Sequence, residues 1–197
     1  MQKKRFVLAG AIALVAMLGF AGTPSGMAPL PARYLHDGTF HSPDGWFQIH
    51  VPAAWEWFEM RAFDGKADPR WPDSVNQTVA WMARNPKTFD YVVVMESYTP
   101  GGDVITDAYA KDFEATTRKS VAPDEMAEFS SEPIMLSGER SLRFRYKLVR
   151  KTGPPLYRFG YVTGMEQKVL LSTADEKPVE PKWFSQIAMS VGWLKEP

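Results

Sequence analysis

Apolar and polar residues alternate along much of this chain, and the alternation predicts strands. Between residues 46 and 51, Phe47, Ile49 and Val51 fall on one face of an extended segment. The preceding Ser42-Pro43-Asp44-Gly45 has the proline and glycine positions of a type I turn, which predicts a hairpin. Residues 91–95 are apolar on both faces, so their strand is expected to be central. Strands are also predicted over residues 55–63, 75–83, 89–98, 128–136, 140–150, 156–163 and 167–173.

Two segments have the spacing of helices. Ile105, Tyr109 and Phe113 lie on one helical stripe, and Asp103 before them is the predicted N-cap. A second amphipathic helix is predicted from Pro181 onwards, with an apolar stripe at Phe184, Ile187, Ala188 and Val191. The chain is therefore predicted to be an α+β protein. We expect a central antiparallel sheet of about six to eight strands, one helix after its first half and the C-terminal helix packed on it.

The N-terminal segment differs from the rest of the chain. Lys3, Lys4 and Arg5 precede an uncharged apolar run over residues 6–20, which is typical of a secretory signal peptide cleaved after Ala21 or Ala28. The alternative is an inner-membrane anchor, although the run is at or below the ~17–25 residues that span a bilayer as a helix. Residues 22–33 are rich in proline and glycine and predict a linker.

These observations divide the chain into three parts. Residues 1–21 form the predicted signal peptide or anchor, 22–33 the linker, and 34–197 a single α+β domain. The protein is expected to be exported, to the periplasm or the cell exterior, or anchored in the inner membrane by residues 6–20. Contact with a membrane is expected only through an uncleaved N-terminal segment. The chain has no cysteine, which excludes disulfides and a lipidated N-terminal cysteine.

Charge excludes another class of function. The chain has 23 basic and 23 acidic residues, and without residues 1–21 it has 20 basic and 23 acidic. A slightly acidic domain lacks the basic surface of a nucleic-acid binder, so no nucleic-acid partner is expected.

One predicted hairpin collects basic residues. On its first strand Leu142, Phe144, Tyr146 and Leu148 are even-numbered, whereas the aromatic residues of its second strand, Tyr157, Phe159 and Tyr161, are odd-numbered. Placing both sets on one face requires paired residue numbers with an odd sum, about 305, and a turn near Thr152-Gly153. The opposite face would then carry a stripe of Arg143, Arg145, Lys147 and Arg158. This stripe could hold phosphate, carboxylate or an acidic protein surface, or it is a solvated face paired with neighbours such as Glu96 or Glu166.

Other candidate chemistry is weak. The spacing of His36, His41 and His50 matches no common metal-ligand pattern, and Asp64, Asp68 and Asp73 lack the spacing of a calcium loop. The tryptophans Trp46, Trp55, Trp57 and Trp71 either form a platform for a sugar or lipid or fill a core. Glu56 and Glu59 are not recognisable as an acid/base pair. No catalytic or cofactor motif is present, so no enzyme activity, metal or cofactor is expected.

The segment from Ser42 to Trp55, which contains Asp-Gly-Trp-Phe-Gln-Ile-His-Val-Pro-Ala-Ala-Trp, resembles the PsbP/Mog-like family, including the DcrB-related bacterial envelope proteins. The order of predicted elements over residues 34–194 is also similar to that family. The resemblance implies an αβα sandwich. It also implies a non-enzymatic accessory or binding role in membrane-associated complexes, such as an envelope protein complex. No functional residue is carried over, because the matching positions are structural.

Three hypotheses follow from the sequence. The first is an exported accessory or binding module of the bacterial cell envelope. The second is a binder of an anionic lipid or glycan, through the basic stripe or the tryptophans. The third is a hydrolase with an unrecognised site, which would need a pocket where histidines and carboxylates converge.

Overall fold

The computed structural model describes residues 27–30, 34–60, 78–98, 104–121 and 125–194. The predicted signal peptide lies outside these residues, as do Asp64, Asp68, Trp71 and Asp73. The described residues form two helices, α1 (Asp107–Ser120) and α2 (Lys182–Met189). They also form the strands β1 (Met27–Pro29), β2 (Leu35–His36), β3 (Thr39–His41), β4 (Phe47–His50), β5 (Glu56–Met60), β6 (Thr78–Arg84), β7 (Tyr91–Tyr98), β8 (Glu125–Leu136), β9 (Glu139–Val149), β10 (Leu156–Gly164), β11 (Gln167–Asp175) and β12 (Gly192–Trp193).

The strands form a large sheet and a small one. The large sheet has eight described strands in the order β1-β5-β6-β7-β11-β10-β9-β8, and every pairing in it is antiparallel. The small sheet has the described order β12-β4-β3-β2. The predicted α+β class with a central antiparallel sheet is confirmed. β7 lies in the middle of the large sheet, as its apolar sequence predicts.

The hairpin of β3 and β4 is also confirmed. The amide of Gly45 donates to the carbonyl of Ser42 at 2.8 Å and closes the turn. The Ser42 hydroxyl is buried and accepts from the amides of Trp46 at 2.9 Å and Phe47 at 3.2 Å. This side chain therefore satisfies two backbone donors at the end of the turn.

Both faces of the large sheet are covered, which makes the fold a sandwich. On one face, Phe113 of α1 packs in a core with Val93, Phe144 and Leu170. On the other face, a second core contains buried residues of the small sheet and of α2, among them Phe40, Phe47, Ile49, Phe184 and Ile187. The apolar stripe of the C-terminal helix is therefore buried as predicted, and the sheet lies between two layers.

The predicted cap of the first helix is wrong. The N-cap of α1 is Thr106, whose hydroxyl accepts from the amide of Tyr109 at 3.2 Å. Asp103 precedes the helix by four positions, too far along the chain to cap its first turn. Asp107, Arg118 and Lys119 occupy the ends that the helix dipole favours.

Regular structure begins before Tyr34, within the predicted linker. Met27–Pro29 pairs with β5, and the Leu30 amide donates to the Trp57 carbonyl at 3.0 Å. Leu30 is itself buried in the second core. A strand of three residues is too short to show alternation of apolar and polar positions, and its proline is typical of a linker. The linker prediction is corrected for residues 27–30.

Candidate functional site

The pairing of β9 and β10 decides which basic residues share a face. Tyr157 lies opposite Lys147, Phe159 opposite Arg145 and Tyr161 opposite Arg143. Opposed residues of an antiparallel pair lie on the same face of a sheet. The odd-numbered aromatic residues of β10 therefore share a face with the odd-numbered cations of β9, and the predicted register is wrong by one residue.

Arg158 consequently leaves the predicted stripe. It lies opposite Tyr146, on the α1 side of the sheet, and only 1% of its surface is exposed. The stripe on the outer face is reduced to Arg143, Arg145 and Lys147, which we call the cation row. The physical reason is that β10 is covered on both faces, so Phe159 and Tyr161 are buried against the second core and need not share a face with Leu142 and its neighbours.

Arg143 at one end of the cation row is tied to two carboxylates. Its guanidinium forms ion pairs of 2.9 Å with Glu132 of β8 and with Glu180, which precedes α2. The Tyr161 hydroxyl donates to the other oxygen of Glu180. Burial lowers the pKa of Arg143, but hydrogen bonding and charge of Glu180 raise it overall. Burial, followed by the hydrogen bond to Glu180, raises the pKa of Tyr161.

Lys147 at the other end is paired as well. Its ammonium lies 3.1 Å from Glu128 of β8 and 5.9 Å from the ring centroid of Tyr157. The hydrogen bond to Glu128, followed by the charge of that group, raises the pKa of Lys147. These contacts hold the ammonium against the sheet.

Arg145 in the middle differs from both neighbours. Its Nε donates to the Ser130 hydroxyl at 3.0 Å, and the side chain is exposed. No carboxylate among the described residues pairs with it. Arg145 is therefore the cation of the row with charge available to an approaching partner.

The carboxylates that pair with the row were missed in the sequence. Of the predicted partners, Glu96 lies on β7 and accepts from Gln167, and Glu166 follows β10 in the turn to β11. The sequence pattern that could have identified them lies in β8, where residues 128, 130 and 132 repeat the two-residue spacing of the cation row. A bulge between Ala127 and Ser130 shifts the β8 register, and the sequence gives no sign of it.

The other candidate residues that the structure describes do not converge on a catalytic site. The rings of His36 and His41 are 5.2 Å apart, and His50 Nδ1 lies 3.5 Å from the Thr39 hydroxyl. Among the described residues no group of three metal-ligating side chains is present. Trp57 is buried and stacks on Phe40 at 4.5 Å, so it belongs to the core and not to an exposed platform.

A shallow cleft lies beside the start of α1. It has a volume of about 230 Å³ and contains Ile105 and Leu142 between the charged Asp107 and Arg140. Those two charges pair across it at 2.8 Å. The cleft is smaller than the ~300–1,000 Å³ of most small-molecule sites, so we assign it no ligand.

No helix in the described part of the chain is long and apolar enough to cross a membrane. This finding does not bear on residues 6–20, which lie outside the described residues.

Comparison with known proteins supports the fold. No protein-family model matches the chain, and no curated protein matches it. A crystal structure at 1.50 Å of a protein from Bacteroides thetaiotaomicron VPI-5482 is 13% identical and has a TM-score of 0.52; the match covers 82% of this chain and 50% of that one. This chain thus spans about half the length of the Bacteroides protein.

A second solved structure matches over nearly its whole length. It is the solution structure of cyanobacterial PsbP (CyanoP) from Synechocystis sp. PCC 6803, with 14% identity and a TM-score of 0.58. The match covers 89% of this chain and 98% of that one. Identity this low carries information on fold alone. The described part of the chain has a fold similar to that of cyanobacterial PsbP.

Proposed function

We propose that the protein is an exported, non-enzymatic accessory or binding module of the bacterial cell envelope. Export is inferred from the basic residues 3–5 and the apolar run over residues 6–20. The accessory role is inferred from the PsbP-like fold and from the resemblance of residues 42–55 to the DcrB-related envelope proteins. The observation that carries the proposal is the likeness to cyanobacterial PsbP over 98% of that chain.

The cation row is the surface that we propose for partner binding. Its two outer members are held by Glu128, Glu132 and Glu180. These carboxylates would repel a free anion, which argues against a lipid phosphate or an acidic glycan on this face. A protein surface can instead place one carboxylate on Arg145 and hydrogen-bond donors on the flanking carboxylates. A protein surface that presents one carboxylate among hydrogen-bond donors is therefore the partner class that fits best.

Partner capture with charge-reversed variants tests this role. The full-length protein with a C-terminal tag would be expressed in its native host and recovered from the solubilised envelope, and its partners quantified by mass spectrometry. Arg145→Glu should reduce recovery of the specific partner at least about tenfold, since like charges facing each other across an interface cost several kcal/mol. The matched control is Lys111→Glu on α1, an exposed cation on the opposite side of the large sheet.

Two results would refute the proposed surface. One is equal recovery of the partner with Arg145→Glu and with wild type. The other is an equal loss with Lys111→Glu, which would indicate a general effect of charge. If no specific partner is recovered with any variant, the accessory role itself is contradicted.

Export has a separate test. The mass of the protein recovered from its native compartment should correspond to a chain that begins after Ala21. An intact chain found only in the membrane fraction would favour the anchored alternative, and an intact chain in the cytoplasm would contradict export.

A further inference from the structure

Arg158 is a buried cation on the α1 side of the sheet, away from the cation row. It lies between Tyr146 of β9 and Ala174 of β11, which are its register partners. Its Nη1 donates to the Tyr91 hydroxyl at 3.1 Å. Burying a guanidinium is costly unless its charge and its donors are compensated. The Tyr91 hydroxyl accepts a hydrogen bond from one nitrogen of the guanidinium and does not balance its positive charge.

The two remaining nitrogens of Arg158 have no acceptor in the described part of the chain. Nε and Nη2 are both fully buried, and neither has a hydrogen-bond partner among the described residues. These two nitrogens form one edge of the planar guanidinium, with their N–H bonds parallel. That edge is the one that binds a carboxylate through two parallel hydrogen bonds. The part of Arg158 that is best shaped for a carboxylate is thus the part left unsatisfied.

A second buried donor lies on the same patch of the sheet. The Ser172 hydroxyl is buried without a partner among the described residues. Ser172 pairs with Gly160 and Arg158 pairs with Ala174, so Ser172 and Arg158 are diagonal neighbours on one face. Diagonal neighbours are within reach of a long side chain or of a ligand between them. Gly160, which lies beside both, has no side chain, and the ring of Phe144 packs over it.

We propose that Arg158 binds the carboxylate of a small organic acid through Nε and Nη2, with the Ser172 hydroxyl as a third donor. One guanidinium surrounded by neutral hydroxyl groups balances a single negative charge, which matches a carboxylate better than a phosphate dianion. Tyr91, Leu156 and Ala174, which lie beside Arg158, are each partly exposed. This site is independent of the cation row, because it lies on the other face of the sheet.

Acetate is the probe for a direct test. The unfolding temperature of the full-length protein would be measured in sodium acetate and in sodium chloride at equal ionic strength, and binding followed by NMR with carbon-13-labelled acetate. We expect acetate to raise the unfolding temperature and chloride or phosphate to raise it less. Arg158→Lys keeps the charge but removes the paired edge, so it should weaken acetate binding at least about tenfold. Ser172→Ala should weaken it several-fold.

Lys111→Met is the control, since it removes an exposed cation that lies outside the cation row and should leave acetate binding unchanged. The same substitution at Arg158 should abolish binding. If Arg158→Met does not fold, the Arg158→Lys and Ser172→Ala variants decide the question. The proposal is overturned if wild type shows no preference for acetate over chloride. It is also overturned if acetate binds but its affinity is the same in Arg158→Lys.

Discussion

Gly160 in the middle of β10 leaves no room for a side chain. A Cβ built there would lie 2.2 Å from Phe144 Cζ and 2.8 Å from the carbonyl oxygen of Leu171. The first contact is with a ring held in the core, and the second is with backbone of the neighbouring strand. Neither atom is the free end of a flexible side chain, so the substitution Gly160→Ala must displace one of them.

We expect Gly160→Ala to lower the free energy of unfolding by about 1–3 kcal/mol, the usual cost of overpacking a core. In a domain of this size, each kcal/mol corresponds to a fall of about 2–4 °C in Tm. The sign is informative, because an unstrained glycine-to-alanine change stabilises by about 0.4–1 kcal/mol. Urea unfolding followed by tryptophan fluorescence measures the difference.

A double-mutant cycle with Phe144→Leu identifies the cause. Removing the ring should relieve part of the strain, so the two substitutions should not be additive. Gly138→Ala is the control: a Cβ there meets nothing within 4 Å, and its cost comes only from a φ of +84°. It should be additive with Phe144→Leu. The reasoning is refuted if Gly160→Ala is as stable as wild type or if its cycle is additive.

Two further predictions concern buried polar groups. Ser42→Ala removes the hydroxyl that accepts from the amides of Trp46 and Phe47. It should lower the free energy of unfolding, measured in urea, by about 1–3 kcal/mol. An unchanged free energy of unfolding would contradict the role of this side chain in the turn. Burial raises the pKa of Tyr109, Tyr146 and Tyr161. Because the unfolded chain loses these protons first, the contribution of the three groups to the free energy of unfolding should be constant below the ordinary tyrosine pKa of ~10 and should fall above it. Tyrosinate absorbance should show that these three tyrosines ionise at higher pH in the folded protein than in the unfolded chain, and their titration near the ordinary pKa in the folded protein would disprove this.

The sequence predicts strands well where one face of a strand is more polar than the other. β9 is such a strand, with Leu142, Phe144 and Tyr146 buried and Arg143 and Arg145 outside the core. β10 is different because both of its faces are covered: residues 158–164 are all buried. The alternation of apolar and polar residues then does not indicate which residues of β10 share a face with those of β9. The predicted register of the two strands was therefore wrong by one residue.

The placement of Arg158 in the predicted stripe was wrong for the same reason. An arginine is normally expected on a solvated face, and nothing in the local sequence distinguishes Arg158 from Arg145. The difference is set by the register of β10 against β9 and by the bulge in β8, which depend on contacts between residues distant in the sequence. The two-residue spacing of Arg143, Arg145 and Lys147 lies within one strand, and that part of the stripe was predictable.

Among the described strands, the large sheet ends in β1 on one side and β8 on the other, and both of these strands contain a proline, Pro29 and Pro133. Proline has no amide to donate to an added strand. In β8 the bulge after Ala127 and a φ of 52° at Glu128 further break the regular row of donors and acceptors. A twelve-residue edge would otherwise be a template for sheet growth. These features make the two outer strands of the described sheet poor templates for pairing with another chain.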